Sequence, residues 1–258
     1  MAATSKIVLV VEYDGTAYCG FQWQKDQPTV QKEIEEAIRR LTGEEIRIIA
    51  ASRTDSGVHA RGQVVSFRTR SAFPSEAFVG GMNYNLPGDI AVREAYRVDN
   101  SLDIRRQALS REYKYYILNS MTRSPWRKGF SCLVRGRLDI NAMNEACRVL
   151  LGEHDFISFA SSIEKDRVRS TRRTVYHAGV AKEEELTVFR IVANSFLTHQ
   201  VRNTVGALLK VGSGRMSSGD FRRIMEEKRQ ALAGPAAPAC GLCLVKVNYQ
   251  YSFEEVSR

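Results

Sequence analysis

Apolar and polar residues alternate along the first hundred residues in blocks whose lengths suit short strands and two helices. Residues 7–13 form an apolar run before the turn residues Asp14 and Gly15, which predicts a buried strand. From Thr29 the apolar positions recur at helical spacing, so the sequence predicts a helix that Thr29 caps and Gly43 ends. The stripe of this helix consists of Val30, Ile34, Ala37, Ile38 and Leu41.

The pattern continues through the rest of the first half. Strand-like runs at residues 46–50 and 64–67 flank a polar loop, and helical spacing returns at residues 76–84. Residues 90–98 are interpreted as a strand that closes this half. The predicted element order is β-α-β-β-α-β, which is the split βαβ arrangement.

The second half shows similar patterns with longer insertions. Strands are predicted at residues 112–118, 174–181, 186–193 and 242–249, and helices after Asp139, Phe196 and Ser217. The helix after Asp139 places Met143, Cys147, Leu150 and Leu151 on one apolar stripe. Because the element order resembles that of the first half, we predict an α+β fold of two ferredoxin-like (β-α-β-β-α-β) halves. The expected domains are residues 1–106 and 107–258, joined around a central cleft.

Charge and hydropathy narrow the class of protein. The chain has 38 Lys+Arg against 29 Asp+Glu, which gives a net charge of +9 and a pI near 9.4. Such an excess attracts polyanions, and nucleic acid is the commonest large one, whereas a basic enzyme without such a partner is the alternative. The longest early apolar run is too short for a signal sequence or a membrane span, so we predict no membrane association.

The five cysteines indicate reduced thiols and a cytoplasmic location, because their number is odd and they lack the spacing of a disulfide framework. Cys240 and Cys243 form a single CxxC pair. A zinc site needs about four ligands and no second pair is present, so we interpret both residues as buried thiols and predict no metal.

The polar loop between the second and third predicted strands is the first candidate for chemistry. It places Asp55 two residues after Arg53 and four residues before His59. The guanidinium of Arg53 favours the ionised carboxylate, so Asp55 can act as a nucleophile or a base. An equally simple explanation is structural, with Asp55 capping a turn, and a lone histidine such as His59 is more often a hydrogen-bonded structural group.

Basic residues cluster in two segments without helical spacing. Residues 161–174 include serines and threonines that can bond phosphates, together with Lys165, Arg167, Arg169, Arg172 and Arg173. A second cluster around Trp126 consists of Arg123, Arg127, Lys128, Arg135 and Arg137. A solvated basic face is the usual explanation for such runs, but two clusters together with the net charge favour nucleic-acid binding.

The Asp55 loop carries a recognisable motif. Residues 52–60 read Ser-Arg-Thr-Asp-Ser-Gly-Val-His-Ala, followed by Gly-Gln-Val at residues 62–64. This closely resembles the active-site motif of the TruA family of tRNA pseudouridine synthases, which usually reads Gly-Arg-Thr-Asp-Ala-Gly-Val-His-Ala. Further matching segments follow in order along nearly the whole chain, at residues 13–16, 110–115, 152–156, 196–206 and 237–242.

The resemblance implies a homodimeric enzyme of the pseudouridine synthase fold that uses neither a cofactor nor a metal and holds one tRNA across both subunits. Its reaction isomerises uridine to pseudouridine in the anticodon stem-loop of tRNAs, at about positions 38–40, where the target base must leave its stack. The first basic cluster, Lys165 to Arg173, is assigned to tRNA binding on this basis, and binding is expected to weaken steeply with salt.

Five residues receive roles from the resemblance. Asp55 matches the catalytic aspartate, which either adds covalently to the substrate or removes a sugar proton to form a glycal. Tyr113 matches the tyrosine that stacks on the base, and Arg202 matches the arginine that pairs with the aspartate and keeps it ionised. Arg53 matches the arginine associated with base flipping, and Leu242 matches an apolar wall of the pocket.

Two alternatives use the same residues differently. The first is a catalytically silent tRNA-binding protein of the same fold, and the retention of Asp55, Tyr113 and Arg202 together argues against it. The second is a hydrolase in which Asp55 and His59 act as acid and base. The chain also departs from the usual motif at Ser52, which replaces a glycine and would be unfavourable only where the backbone needs a positive φ.

Overall fold

The computed structural model describes residues 4–161 and 170–257. These form two compact units, of which the first comprises Met1–Arg111 together with Leu244–Arg258 and the second comprises Glu112–Cys243. The C-terminal residues from Leu244 thus group with the N-terminal half. The division into domains at residues 106 and 107 stays a prediction.

The first unit contains the predicted β-α-β-β-α-β series. Its elements are β1 (Ser5–Tyr13), α1 (Val30–Thr42), β2 (Ile49–Ala50), β3 (His59–Thr69), α2 (Ser75–Asn85) and β4 (Ile90–Val98). β1 lies between β4 and β3 and is antiparallel to both, with Ile7 opposite Phe67 on one side and Arg97 on the other. β2 pairs with β3 through Ile49 and Ser66, so the order β4-β1-β3-β2 is that of a ferredoxin-like sheet.

The second unit begins with β5 and holds three helices. Its elements are β5 (Ser110–Asn119), β6 (Cys132–Val134), α3 (Ile140–Arg148), β7 (Gly152–Asp155), β8 (Arg172–Glu183), β9 (Leu186–Ala193), α4 (Gln200–Gly212) and α5 (Ser218–Glu226). The last strand, β10 (Leu242–Asn248), starts here and continues into the first unit, where it is the neighbour of β3. Within the second unit the strand order is β5-β9-β8-β7.

Two strands of the second unit were not predicted. β6 has three residues and pairs in parallel with β5, with Cys132 opposite Ile117. β7 has the polar sequence Gly-Glu-His-Asp and pairs antiparallel with β8. Neither segment carries an alternating apolar pattern in the sequence. Both are recognised as strands only through their pairing with β5 and β8. The second half is therefore an elaborated version of the first rather than a plain repeat.

The helices α1, α3 and α5 begin at a residue whose side chain caps them, whereas α2 and α4 begin without a side-chain cap. Thr29 accepts from the Lys32 N–H at the start of α1, and Gly43 ends the helix with a φ of 76°. Ser217 and Asp220 form a complete capping box at the start of α5. α3 ends at Arg148, so the predicted apolar stripe is wrong at Leu151, which is 42% exposed.

The interior of the first unit includes the central strand β1 and the apolar side of α1. Ile7, Val8 and Leu9 of β1 are fully buried, which means that both faces of this central strand are covered. The fully buried Ile34 and Ile38 lie on the apolar stripe of α1. Among the described residues, no helix has the length and apolar content needed to cross a membrane.

Candidate active site

The loop that carries Asp55 connects β2 and β3 in the first unit. Its base is held at Ala51, whose N–H donates to the Val64 carbonyl at 2.8 Å and whose carbonyl accepts from Nη2 of Arg111 at 3.0 Å. The neighbouring Ser52 is bonded to the side chain of Gln63 in β3. The loop therefore leaves a strand whose end is fixed by three separate partners.

The segment after β1 holds the tip of the loop. The Phe21 N–H donates to the Thr54 carbonyl at 3.1 Å, and the Thr54 hydroxyl is 2.8 Å from the Tyr13 hydroxyl. The Gly57 N–H donates to the Tyr18 carbonyl at 3.2 Å. Asp55 thus lies between two residues whose backbones are bonded to the same neighbouring segment, which fixes its position in the loop.

Two glycines allow this close approach. A Cβ at Gly15 would lie 2.0 Å from the Val58 carbonyl oxygen, which is too close for any side chain. Gly20 has a φ of +92°, and a Cβ there would lie 2.9 Å from the Thr54 carbonyl oxygen. Both positions therefore require glycine, because a side chain would push the two segments apart.

His59, at the start of β3, is buried and connects the end of the Asp55 loop to the segment after β1. Its Nδ1 accepts from the Gly15 N–H at 3.1 Å. Asp14 Oδ1 also lies 3.1 Å from Nδ1, but this oxygen accepts from the N–H and hydroxyl of Thr16. These bonds give His59 a structural role, and the alternative of an Asp55–His59 acid–base pair gains no support from them.

Arg53 and Asp55 differ in exposure although they share the loop. The Arg53 side chain is exposed, whereas Asp55 is half-buried and its carbonyl accepts from the Val58 N–H at 3.1 Å. The backbone φ of Ser52 is not positive. The replacement of the usual glycine by Ser52 is therefore compatible with this backbone.

Tyr113 lies in β5 of the second unit with a buried ring. The ring meets Phe196 edge to face, with centroids 5.2 Å apart and an interplanar angle of 89°. The preceding residue, Glu112, receives two bonds from Arg190 of β9, at 2.7 and 3.0 Å. The bond from Arg190 holds the pKa of Glu112 below its usual value, against the opposing effect of burial.

Arg202 lies in the first turn of α4 and is half-buried. Its Nε–H donates to the Ala237 carbonyl at 2.9 Å, and the Ala237 N–H donates back to the Arg202 carbonyl at 3.0 Å. This reciprocal pair joins the start of α4 to the segment that leads into β10. The plane of the guanidinium is therefore set by a backbone group far along the chain.

Leu242 follows the same segment and is buried at the first position of β10. The Tyr115 hydroxyl donates to the Pro238 carbonyl at 2.8 Å, and burial raises the pKa of this phenol. A Cβ at Gly241 would lie 2.6 Å from the Tyr115 ring, so the chain passes directly over it. Tyr115 was not predicted as a site residue, although its spacing of two residues from Tyr113 places both side chains on the same face of β5.

The predicted tRNA-binding cluster is described only in part. Lys165, Arg167 and Arg169 lie outside the described residues. Arg172 donates from Nε to Glu153 at 2.7 Å, and both side chains are largely exposed. Arg173 donates to the Ser170 carbonyl at 2.7 Å, and desolvation lowers its pKa.

The CxxC pair lies where the short turn Ala239–Gly241 leads into β10. Cys240 donates from Sγ to the Ser131 carbonyl at 3.6 Å, and burial raises its pKa, while Cys243 is buried. In the part of the chain that the structure describes, no three His, Cys, Asp or Glu side chains are grouped so that they could hold a metal ion.

The structure therefore groups the predicted site residues by unit. Arg53 and Asp55 share the loop between β2 and β3 in the first unit. Tyr113, Arg202 and Leu242 belong to the second unit, on β5, α4 and β10. Within that unit, Arg202 and Leu242 are connected through the segment of residues 234–241, which Tyr115 also holds.

A family model described as tRNA pseudouridine synthase matches residues 9–105 and 146–250 of the chain. These ranges contain four of the five predicted site residues, namely Arg53, Asp55, Arg202 and Leu242. Tyr113 falls between them, so its correspondence depends on the motif at residues 110–115.

Whole-length relatives agree with this match. The chain is 43% identical over 248 residues to tRNA pseudouridine synthase A of Blochmanniella pennsylvanica, covering 96% of this chain and 94% of the relative. It is 40% identical over 245 residues to the protein of the same name from an Exiguobacterium species, covering 95% and 98%. The corresponding Pelobacter propionicus protein is 42% identical over 243 residues, covering 94% and 99%. The chain therefore belongs to the TruA family of tRNA pseudouridine synthases.

Proposed function

We propose that this protein is an isomerase that converts uridine to pseudouridine in tRNA. The observation that carries the proposal is the motif at residues 52–60, on a loop held from both sides, in a chain whose relatives are named tRNA pseudouridine synthase A. The reaction breaks the N1–C1′ bond of uridine and forms a C5–C1′ bond. C5 loses a proton and N1 gains one, so the atoms balance without an oxidant, a reductant or a cofactor.

Asp55 is the proposed catalytic residue. Its half-buried position between Thr54 and Ser56 supports this role, because a carboxylate on a rigid loop can be held close to the reacting sugar. Two routes start from the ionised carboxylate. In one it adds covalently to the substrate, and in the other it removes the sugar 2′ proton to give a glycal. A primary isotope effect with 2′-deuterated uridine is expected only for the second route.

Four further residues complete the proposed site. Arg202 pairs with Asp55 and keeps the carboxylate ionised, and Tyr113 stacks on the flipped base. Arg53, which is exposed on the same loop as Asp55, assists flipping, and the buried Leu242 forms an apolar wall. These roles are supported by the matching motifs and by the position of each residue within its own unit.

The proposed substrate is a uridine in the anticodon stem-loop, bound by a homodimer in the cytoplasm. The net charge of +9 supports a polyanionic substrate. The proposed phosphate contacts are Lys165, Arg167, Arg169, Arg172 and Arg173. A second subunit that contacts the same tRNA would enlarge the basic surface, so binding is expected to depend on the oligomeric state as well as on salt.

The test is to incubate the protein with unmodified tRNA transcripts and to map pseudouridine at single-nucleotide resolution. Asp55→Asn removes the charge with little change of shape and is expected to abolish product while tRNA still binds. Asp26→Asn is the matched control, since Asp26 is exposed and has a φ of 57° that asparagine tolerates. Product from Asp55→Asn at the wild-type rate would overturn the catalytic assignment, and no product from wild type on any tRNA would favour the silent-binder alternative.

A further inference from the structure

One side of α4 faces the segment of residues 234–237. Arg202, Gly206 and Lys210 are spaced by four residues, so they lie one above the other on the same side of the helix. Arg202 donates from Nε to the Ala237 carbonyl at 2.9 Å, and Lys210 donates from Nζ to the Gly234 carbonyl at 2.8 Å. The helix is thus hydrogen-bonded to both ends of this short segment. We call Arg202, Gly206 and Lys210 the α4 ridge.

The middle of the α4 ridge is in direct contact with backbone. A Cβ at Gly206 would lie 2.2 Å from the Pro235 carbonyl oxygen and 3.5 Å from the Ala237 nitrogen. No side chain fits in that space unless the segment moves away from the helix. Gly206 therefore sets the distance between α4 and the segment, while Arg202 and Lys210 set its position along the helix axis.

The same segment leads to Leu242, the proposed apolar wall. Pro238, the next residue, accepts from the Tyr115 hydroxyl at 2.8 Å, and Gly241 lies against the Tyr115 ring. The short 3-10 turn Ala239–Gly241 then leads directly into Leu242. A shift of the segment at Pro235 is consequently transmitted to Arg202 on one side and to Leu242 on the other.

We propose that Gly206 and Lys210 are positioning residues that orient Arg202 for turnover through the segment of residues 234–237. The inference rests on the proposed function, in which Arg202 pairs with Asp55. An arginine side chain has five N–H donors in a fixed plane. The bond from Nε to Ala237 fixes that plane, and pairing with a carboxylate through the remaining donors depends on it.

The first experiment compares two alanine substitutions in helices. Gly206→Ala is expected to lower kcat by about 10- to 100-fold, because a misplacement of about 1 Å in a catalytic group has an effect of this size. Its Kd for tRNA is expected to change by less than about twofold, since the backbone and not a phosphate contact is altered. Gly80→Ala in α2 is the matched control, because a Cβ there meets nothing within 4 Å. It is expected to keep full turnover, as alanine is also the better helix former.

The second experiment separates the charge of Lys210 from its bond to Gly234. Lys210→Met keeps the length of the stem but removes the donor and is expected to lower kcat by about fivefold or more, whereas Lys210→Arg restores a donor and most of the turnover. Arg215→Met is the control for the lost charge, since Arg215 is exposed near the end of the same helix and donates to Ser213. A loss of turnover in Arg215→Met equal to that in Lys210→Met would overturn the proposal.

A double substitution tests the connection to Arg202 itself. If the α4 ridge acts through the guanidinium, adding Gly206→Ala to Arg202→Ala causes little further loss of kcat, because the group being oriented is already absent. Losses that multiply would mean that Gly206 acts independently of Arg202, and the proposal would be wrong.

A readout without activity distinguishes this inference from the proposed function. The Ala237 N–H, which donates to the Arg202 carbonyl, is expected to exchange with deuterium at least about tenfold faster in Gly206→Ala and Lys210→Met than in wild type. Unchanged exchange overturns the inference even where pseudouridine forms normally. Faster exchange in the two variants, together with a wild-type protein that makes no pseudouridine, would support the placement of the segment and overturn the proposed function alone.

Discussion

Gln63 binds both backbone groups of Ser52. Its Oε1 accepts from the Ser52 N–H at 3.3 Å, and its Nε2 donates to the Ser52 carbonyl at 2.8 Å. Gln63 is fully buried in β3, so its amide cannot exchange these partners for water. A single side chain of the strand after the loop therefore holds the residue with which the Asp55 motif begins.

The first prediction concerns this amide. Gln63→Glu places a buried carboxylate against the Ser52 carbonyl, which repels it, so the variant is expected to melt at a lower temperature than wild type at pH 8 and to turn over more slowly. Burial raises the pKa of the new carboxyl in the folded state above the unfolded value of about 4.3. A raised folded pKa means that the loss is fully present above that pKa and shrinks as the pH falls towards 4.

Thermal melts of both proteins at pH 4 and pH 8 check the prediction for Gln63→Glu. Gln107→Glu is the control with the same charge change, because Gln107 is exposed and its Oε1 already accepts from the Tyr251 hydroxyl. A melting temperature of Gln63→Glu that equals wild type at pH 8 would contradict the role of the amide in holding Ser52.

The second prediction separates the structural role of His59 from a role in catalysis. His59→Asn keeps an acceptor near the Gly15 N–H and is expected to retain at least about half of the wild-type turnover. His59→Leu leaves that buried N–H unpaired, which costs about 1–3 kcal/mol of stability, and the loosened loop lowers turnover. Melting temperature and kcat of both variants check this. Loss of all activity in His59→Asn, with its melting temperature intact, would instead favour an acid–base role.

The fold could be predicted from sequence where periodicity and caps act together. The strands β1 and β4 and the helix α1 were correct within two residues; a long apolar run marks β1, and Thr29 and Gly43 mark the ends of α1. β2, by contrast, begins at Ile49 and not at residue 46, and β3 begins at His59 and not at residue 64. These boundaries depend on pairing between distant residues, which composition does not record.

For the candidate site, the sequence offered fewer signals. A carboxylate in a polar loop between strands pointed to Asp55, whereas Tyr113, Arg202 and Leu242 were singled out mainly by resemblance. Gly206 and Lys210 were missed because their partners are backbone carbonyls more than twenty residues away, at Pro235 and Gly234. Residues that act on backbone carry no sequence signal of their partner, so only the structure could identify them.

The third prediction uses the ion pair beside Tyr113. Because Arg190 holds the pKa of Glu112 below its ordinary value, the pair stabilises the fold at pH values above the unfolded pKa of a glutamate, about 4.3. This contribution is lost as the pH falls through the lower, folded pKa. Glu112→Gln is therefore expected to melt at a lower temperature than wild type at pH 7, and the difference is expected to disappear in acid.

Melts at pH 7, 5 and 3 measure that difference. Glu184→Gln is the control. The Glu184 side chain is 89% exposed and its Oε2 lies 4.0 Å from Nη2 of Arg127, and such an exposed ion pair contributes little to stability. A difference between Glu112→Gln and wild type that stays constant down to pH 3 would show that the charge of Glu112 is not the cause.

The fourth prediction concerns Arg172, which is paired with Glu153 in the free protein. If Arg172 binds a tRNA phosphate, Glu153 competes with that phosphate, so Glu153→Gln is expected to bind tRNA more tightly. Arg172→Gln is expected to bind more weakly and to reduce the slope of log Kd against log salt by about 0.7–0.9, the value for one phosphate contact. Filter binding of an unmodified tRNA between 50 and 200 mM salt measures both effects.

Arg222→Gln controls for the loss of one positive charge elsewhere, because Arg222 is exposed on α5. A general charge effect would give all three variants affinities that follow net charge alone, with Arg172→Gln and Arg222→Gln equally weakened. A phosphate contact gives a larger loss in Arg172→Gln than in Arg222→Gln. Because both side chains of the pair are largely exposed, the bond between them is weak enough for a phosphate to replace Glu153. Equal slopes for wild type and Arg172→Gln would assign Arg172 to the ion pair alone and leave binding to the remaining basic residues of its cluster.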